Sequence, residues 1–257
     1  MARRRHSKQR RRRGSFGFLY KLLSMLVICA AIIVALTLFF RVDTIQISGQ
    51  QRYTDEQVRE ASGVQPGDNL ILLNKYDVAG NIVEVLPYIE DTRINRKLPA
   101  TLLIEVTECG KPLAVVQDGY AWLVSARGKI VDQLDAAAAA DFGIISGCQL
   151  LSPSVGTKIA LATDFSSQQA SLLDLLSALA EAGMLEQVDG IRLDDLSMIR
   201  MDYDGRFTVE MPYGADYVQK MTILRMALES EYVQDNMTGT FDMTRESGRI
   251  YLDQSTR

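Results

Sequence analysis

The chain has 257 residues, of which 47% are hydrophobic and 23% are charged, and its formal net charge is −4. That length can hold a membrane anchor and about one or two globular domains of roughly 100 to 200 residues each. The composition is that of an ordinary folded protein. Its one histidine is His6, which excludes Ser-His-Asp and Cys-His catalysis and histidine-bearing zinc sites from the rest of the chain.

Positive charge is concentrated near residue 1. Ten of the 28 Lys and Arg lie by residue 41, and the first acidic residue is Asp43, so the remainder holds 18 basic against 32 acidic residues, a net charge of −14. A basic block next to an apolar segment sets membrane topology and contacts anionic lipid, while binding of nucleic-acid phosphates is the alternative. We predict that residues 1–21 form a cytoplasmic tail and that nucleic acid is not a partner.

An uncharged apolar stretch of nineteen residues, 22–40, lies between Lys21 and Arg41. About 20 such residues cross a hydrocarbon core of roughly 30 Å. A cleavable signal peptide is the alternative, but its apolar region is shorter and ends in a small-x-small site, which "LFFRVD" lacks. The sequence predicts an uncleaved transmembrane helix over residues 22–40, with the acidic remainder of the chain outside the membrane.

The residues after the span predict a strand followed by a helix. "VDTIQISG" is rich in β-branched residues and ends at Gly49, which is typical of a strand. Thr54 and Gln57 have the spacing of a capping box, which predicts a short helix that stops at Gly63.

A second helix and two strands are predicted next. Asn74 is placed to cap a helix through Asp77, and Pro87 ends that helix. Two extended segments then flank the Leu98-Pro99 turn, and the second alternates apolar residues toward one face: Leu102, Ile104 and Val106. Strand, helix, helix, strand, strand is an α+β arrangement in which the helices cover one side of a small sheet.

Beyond Cys109, short strands predominate. "GYAWLVSARGKIVDQ" predicts a hairpin, and residues 135–141 predict a loop or single turn. Two amphipathic helices are predicted within residues 168–185 and 215–230, about three strands between them, and a terminal hairpin around Ser247-Gly248. The predicted fold is therefore α+β, with a transmembrane helix, a β-α-α-β-β domain and a mixed β-rich domain with two helices.

Signals for chemistry are weak throughout. The Ser-Lys pairs in "SVGTK" and "SARGK" do not open a helix, and "RMDYDGRFTVEM" has Arg200 where a calcium loop needs its first ligand, so a hairpin is predicted there. Acid–base catalysis on a glycosidic bond needs paired carboxylates, and the acids considered include Glu108. Glu105, Asp194 and Asp195 are predicted to lie on solvated faces. Neither a catalytic site nor a cofactor or metal site is predicted. Cys109 and Cys148 are predicted to be either a disulfide or two buried thiols.

These patterns together resemble the FtsQ/DivIB family of bacterial cell-division proteins. The segment from "VDTIQISG" to "LLIEVTE" resembles the POTRA module of that family. "ECGKPLAVV" is similar to its Glu-basic-x-Pro-x-Ala element at Glu108, Pro112 and Ala114, and "WLVSARGKIVD" to its hairpin motif. Toward the end, "TFDMTRESGRIYL" is similar to the last two strands. Cys109 and Thr244 depart from the family pattern, which usually has a basic residue at each position.

The resemblance implies four regions and a function. These are a tail at 1–21, a transmembrane helix at 22–40, a POTRA domain at 41–109 and a β domain at 110–257. It implies a non-enzymatic scaffold in the cell membrane at the division septum, which links FtsB/DivIC-like and FtsL-like single-span proteins and helps control septal peptidoglycan synthesis. Strand addition would place partner contacts at Phe241, Met243, Ile250, Tyr251 and Leu252. Because alternating side chains face opposite ways, only part of that list can touch a partner. Ile45 and Ile47 form a second candidate surface.

Two other classes remain as alternatives. One is an extracytoplasmic wall-binding or hydrolytic protein on a similar anchor, which should have a cleft with convergent titratable groups. The other is a POTRA-bearing secretion or outer-membrane assembly factor, which should carry repeated POTRA units or a barrel; the sequence shows neither.

Overall fold

The computed structural model describes residues 16–162, 165–234, 236–245 and 250–254. The chain divides into two compact units. Among the described residues, the first unit consists of 16–45, 65–73 and 96–102, and the second contains all the others. Most of the predicted basic tail, and the predicted turn at Ser247-Gly248, lie outside the described residues.

The first helix, α1, runs over Phe16–Phe39. Its segment Gly17–Thr37 is long and apolar enough to cross a membrane, and none of that segment is buried against protein. It is the single such helix in the described part of the chain. An apolar helix with no protein packed on it is stable where lipid replaces water around its side chains. This helix is the candidate membrane span that the sequence predicted, although it begins at Phe16, before the predicted start at residue 22.

The next five elements follow the predicted order. They are β1 (Thr44–Ser48), α2 (Asp55–Ser62), α3 (Lys75–Val85), β2 (Ile89–Lys97) and β3 (Thr101–Glu108). The strands form a sheet in the order β1-β3-β2. On β3 the three alternating apolar residues, Leu102, Ile104 and Val106, are buried as predicted.

Local hydrogen bonds fix both ends of α2. The Thr54 side chain accepts from the Gln57 N–H while the Gln57 side chain accepts from the Thr54 N–H, which completes the predicted capping box. Gly63 ends the helix with φ of 69°, a left-handed conformation that favours glycine. The predicted capping partner of α3 was wrong. Asn74 caps that helix by accepting from the Tyr76 N–H, one residue before the expected Asp77.

The remaining strands form one nine-stranded sheet. In chain order these elements are β4 (Leu113–Gln117), β5 (Tyr120–Val124), β6 (Ile130–Asp135), β7 (Ile144–Ser146), α4 (Ser166–Glu181), β8 (Val188–Arg192), β9 (Met198–Tyr203), β10 (Phe207–Pro212), α5 (Tyr217–Leu228), β11 (Gly239–Asp242) and β12 (Tyr251–Gln254). The strand order across the sheet is β12-β11-β10-β9-β8-β7-β4-β5-β6. The run of alanines forms a 3₁₀ helix, Ala136–Asp141, where a loop or single turn was predicted.

The sheet mixes local and distant pairings. β4, β5 and β6 are antiparallel neighbours, as are β8, β9 and β10. Parallel pairs join β4 to β7, β7 to β8 and β10 to β11, the last across α5. The hairpins predicted within residues 119–133 and 200–211 are therefore confirmed, as β5-β6 and β9-β10. The parallel pairs are additions that a local pattern does not specify.

Two hydrophobic clusters cover the sheet. The larger contains Trp122 and Val124 from β5 together with the apolar faces of α4 and α5, and α4 packs against α5. Leu172, Leu176 and Leu179 form the predicted buried stripe of α4. The smaller cluster lies on the opposite side of β5, where Ala121 and Leu123 meet Tyr88 and Ala139. Alternation along β5 thus serves two cores, so both faces of this part of the sheet are buried.

Candidate functional site

The candidate site is the end of the nine-stranded sheet formed by β11 and β12. β11 pairs in parallel with β10 and antiparallel with β12, with Phe241 opposite Leu252 and Asp242 opposite Tyr251. Among the described residues no further strand lies beyond β12. An edge strand of this kind presents unpaired backbone groups to which another chain can add a strand.

Gly239 makes the docking of β12 possible. A Cβ atom at that position would lie 2.2 Å from the carbonyl oxygen of Asp253 and 3.1 Å from its carbonyl carbon. Both contacts are to backbone, which cannot move aside as a flexible side chain would. The first residue of β11 must therefore lack a side chain for β12 to approach.

The predicted partner residues on β11 and directly after it lie in the core. Phe241 is 1% exposed and its ring packs against Phe207 with 4.9 Å between ring centroids, and Met243 is 2% exposed. Their side chains belong to the larger hydrophobic cluster, where they stabilise the sheet. The resemblance indicated the strand, but only burial distinguishes its two faces.

On and next to β12 the predicted residues divide between two faces. Ile250 and Leu252 are partly buried and pack against the larger cluster, whereas Tyr251 is 42% exposed on the opposite face.

Ile45 and Ile47 are half-buried on β1, which is an edge strand of the three-stranded sheet. Tyr251 is therefore the predicted side chain best placed for contact, and the backbone of β12 provides the rest of the edge.

Polar residues around Tyr251 were not predicted. The Asp242 carboxylate accepts hydrogen bonds from the Thr244 N–H at 2.9 Å and the Thr244 hydroxyl at 2.6 Å. These bonds lower the pKa of Asp242, helped by nearby Arg245. The Arg245 guanidinium lies 4.0 Å from Asp242 and 4.9 Å from the centroid of the Tyr251 ring. Thr244, which departs from the family pattern, thus fixes the acid that opposes Tyr251 across the strands.

A shallow cavity of about 360 Å³ lies beside these residues. Its lining includes Lys220 and Gln219 of α5 together with Thr244 and Arg245. Lys220 Nζ donates to the Met243 carbonyl at 2.6 Å, so α5 holds the chain that leaves β11. The cavity extends the exposed surface of the β12 end onto α5.

The residues considered for chemistry have structural partners. The Glu108 carboxylate accepts from the backbone N–H groups of Gln51, Arg52 and Tyr53 at 3.0 to 3.3 Å, which gives this acid a structural role. Lys129 of the "SARGK" pair directs its Nζ to the Val83 carbonyl at 2.5 Å.

The Asp-Gly corner tested as a calcium loop is a hairpin turn, with positive φ at Asp204 and Gly205. No group of three or more metal-ligating side chains occurs within the described ranges. Cys109 and Cys148 are free thiols in the structure, and burial raises the pKa of each to about 11.

Comparison with known proteins shows which families this chain resembles. Residues 40–108 match the family described as POTRA domain, FtsQ-type. A cell division protein FtsQ from Syntrophotalea carbinolica is 26% identical over 223 residues, 82% of this chain and 76% of that protein. Another FtsQ, from Geotalea daltonii, is 25% identical over 170 residues, and cell division protein DivIB from Clostridium botulinum is 28% identical over 116 residues. Residues 40–108 are thus similar to FtsQ-type POTRA domains, and the longer matches are to cell division proteins FtsQ and DivIB.

Coverage differs among these FtsQ/DivIB relatives. The match includes 66% of this chain and 57% of the Geotalea daltonii protein, less than two thirds of that relative's length. For the Clostridium botulinum protein the shares are 44% and 45%. The similarity to cell division proteins, together with one candidate membrane span among the described residues, supports a single-pass membrane protein of the bacterial division site.

Proposed function

We propose that this protein is a non-enzymatic divisome scaffold of the FtsQ/DivIB type that joins FtsB/DivIC-like and FtsL-like single-span proteins at the septum. Residues 1–21 would be cytoplasmic, and the POTRA domain at 41–109 and the β domain at 110–257 extracytoplasmic. Joining these partners helps control septal peptidoglycan synthesis. No observation on the described residues favours the wall-binding or hydrolytic alternative, so it is not proposed.

One observation carries the proposal: β12 is an edge strand with an exposed tyrosine and no neighbour beyond it in the described part of the chain. A partner segment in extended conformation would add to β12 by backbone hydrogen bonds, and contacts with Tyr251 would add specificity. Leu252 faces the core and would hold β12 in place while the partner binds. The β1 edge with Ile45 and Ile47 remains a second proposed surface, for other divisome members.

A matched pair of tyrosine substitutions tests the edge. Tyr251→Asp should weaken binding of the extracytoplasmic domains of the FtsB/DivIC-like and FtsL-like proteins by about tenfold or more, because truncating a central interface tyrosine commonly costs over 1 kcal/mol. The control, Tyr232→Asp, makes the same change at a tyrosine that is 88% exposed and distant in sequence from β12. Affinity is measured by titration of the full chain in nanodiscs.

Circular dichroism establishes that both variants remain folded. Equal affinity for Tyr251→Asp and the parent chain, with unchanged dichroism, would place the binding site elsewhere. Equal weakening by both variants would indicate a general charge effect instead of an edge contact.

A further inference from the structure

The end of α1 is fastened to the loop that follows α2. Asn69 donates from its side-chain Nδ2 to the Thr37 carbonyl at 3.3 Å, and the Leu70 N–H donates to the Phe40 carbonyl at 2.9 Å. Arg41 and Asn69 also form an antiparallel β-bridge. Since Thr37 ends the membrane-spanning segment, these bonds place the loop at the depth where the helix leaves the hydrocarbon.

That loop directs two large apolar side chains outward. Leu70 is fully buried, yet the next two residues are exposed, Ile71 by 45% and Leu72 by 75%. The exposure is fixed locally, because the Asn69 side-chain oxygen accepts from the N–H groups of both residues, at 2.9 and 3.0 Å. The Arg96 guanidinium donates to the Leu73 carbonyl and closes the loop from the other side.

The turn between β2 and β3 belongs to the same unit and also exposes a large apolar side chain. Leu98 is 60% exposed, and the adjoining Ala100 carbonyl accepts from the N–H groups of Asp43 and Thr44 at 2.9 and 3.2 Å. Lys97, the last residue of β2, and Arg41, after the span, are exposed cations. Apolar side chains among cations next to a span match the layered chemistry of a bilayer surface, with acyl chains below and phosphates above.

We propose that Ile71, Leu72 and Leu98 insert into the interfacial layer of the leaflet from which α1 emerges, while Arg41 and Lys97 contact lipid phosphates. The occupant of this surface is lipid because the loop is hydrogen-bonded to the terminal turn of the span, where lipid is the surrounding medium. The first unit is then oriented on the membrane by three side chains as well as by its helix. This inference depends on α1 crossing the membrane and is independent of partner binding at β12.

Tryptophan scanning tests the insertion in the full chain in nanodiscs. Leu72→Trp places a fluorophore on the proposed surface, and Leu196→Trp places one at a leucine that is 85% exposed but lies in the other unit. Trp122 is kept in both variants, and its signal is measured in the parent chain. Lipids brominated near the headgroup end of the acyl chain should quench the added tryptophan of Leu72→Trp several-fold more than that of Leu196→Trp.

Two results would overturn the proposal. Equal quenching of the two added tryptophans would show that the loop has no preferential contact with lipid. A tryptophan at position 72 that is shielded from aqueous iodide but not quenched by bromolipid would show that protein covers the surface. As a second variant, Leu98→Trp should be quenched like Leu72→Trp, so the test does not depend on one substitution folding well.

Discussion

The two ends of the nine-stranded sheet differ in what lies beside them. At the β6 end, the Ile130 N–H donates to the Thr157 carbonyl and the Ile130 carbonyl accepts from the Gly156 N–H, both at 2.8 Å. A later segment of the chain therefore pairs with the start of this edge. At the β12 end, the described residues supply no such cover, and Tyr251 is exposed.

Side chains reinforce the covered end. Lys129 is 9% exposed and donates to the carbonyls of Val83 and Ile89, and the Tyr88 hydroxyl donates to the Asp132 carboxylate at 2.9 Å. Val83 lies in the final turn of α3, where a cation is favourable. One end of the sheet is thus held by its own chain, and the other keeps its edge available for another chain.

The largest expected effect is at the open end, in its buried layer. Phe241→Ala should lower the free energy of unfolding by about 3 to 5 kcal/mol, because it leaves a cavity against Phe207. Tyr251→Ala, one strand further out and 42% exposed, should lower it by less than about 1 kcal/mol. Denaturant titration of the full chain in detergent micelles, followed by circular dichroism, measures both. Similar losses for the two would mean that exposure to a partner and packing in the core are not separated as described.

A smaller effect is expected at the covered end. Lys129→Met keeps the apolar stem but removes hydrogen bonds to two backbone carbonyls, so it should lower the free energy of unfolding by about 1 to 3 kcal/mol. Lys158→Met makes the same change at an exposed lysine whose backbone forms an antiparallel β-bridge with that of Lys129. This substitution should leave the free energy of unfolding nearly unchanged. The same denaturant titration compares the two. A neutral Lys129→Met would mean that its contacts do not hold this end of the sheet.

The smallest expected effect is a loss of stability at alkaline pH. It involves one buried thiol beside each of the two hydrophobic clusters. Burial raises the pKa of Cys109, beside the smaller cluster, and of Cys148, beside the larger, to about 11 from an ordinary value of 9.0. The unfolded chain loses these protons first, so their contribution is complete below pH 9 and is lost as pH rises toward 11. After allowance for partial exposure, the expected loss is about 1 to 2 kcal/mol for each thiol.

Alanine variants separate the two thiols from other groups that titrate in this range. Thermal unfolding between pH 8 and 11 should show a shallower fall for Cys109→Ala and for Cys148→Ala than for the parent chain. Cys29→Ala, outside both clusters, should leave the slope unchanged. A parent slope retained in the double variant Cys109→Ala, Cys148→Ala would show that the thiols do not contribute.

Local elements were predictable because their signals are local. The Thr54 and Gln57 capping box, the stripe on α4 and the two hairpins depend on residues within a few positions of one another. The parallel joining of β4, β7 and β8 depends on residues more than 25 positions apart, and no pattern within one segment specifies it. The alanine run formed a 3₁₀ helix because Ala139 packs against the smaller cluster, a tertiary contact.

The sequence predicted the strands of the candidate site but not which of their side chains are exposed. Sequence alternation separates Phe241 from Asp242, yet it does not say which face meets α5, so buried residues were included. Glu108 shows the same limit, because three amides nearly 60 positions earlier determine its role. The sequence did not indicate that Thr244 donates a hydrogen bond to Asp242, since a hydroxyl two residues away from an acid is common in turns.

Among the described strands β12 pairs only with β11, and this has a consequence for how the proposed complex would assemble. Four residues held on one side only can separate from β11 at a free energy well below that of global unfolding. A partner strand on the outer side would bind only the docked form and would stabilise it by mass action. In the proposed scaffold the edge would therefore become ordered together with the complex, and slower amide exchange across Tyr251–Gln254 would report binding of the partner.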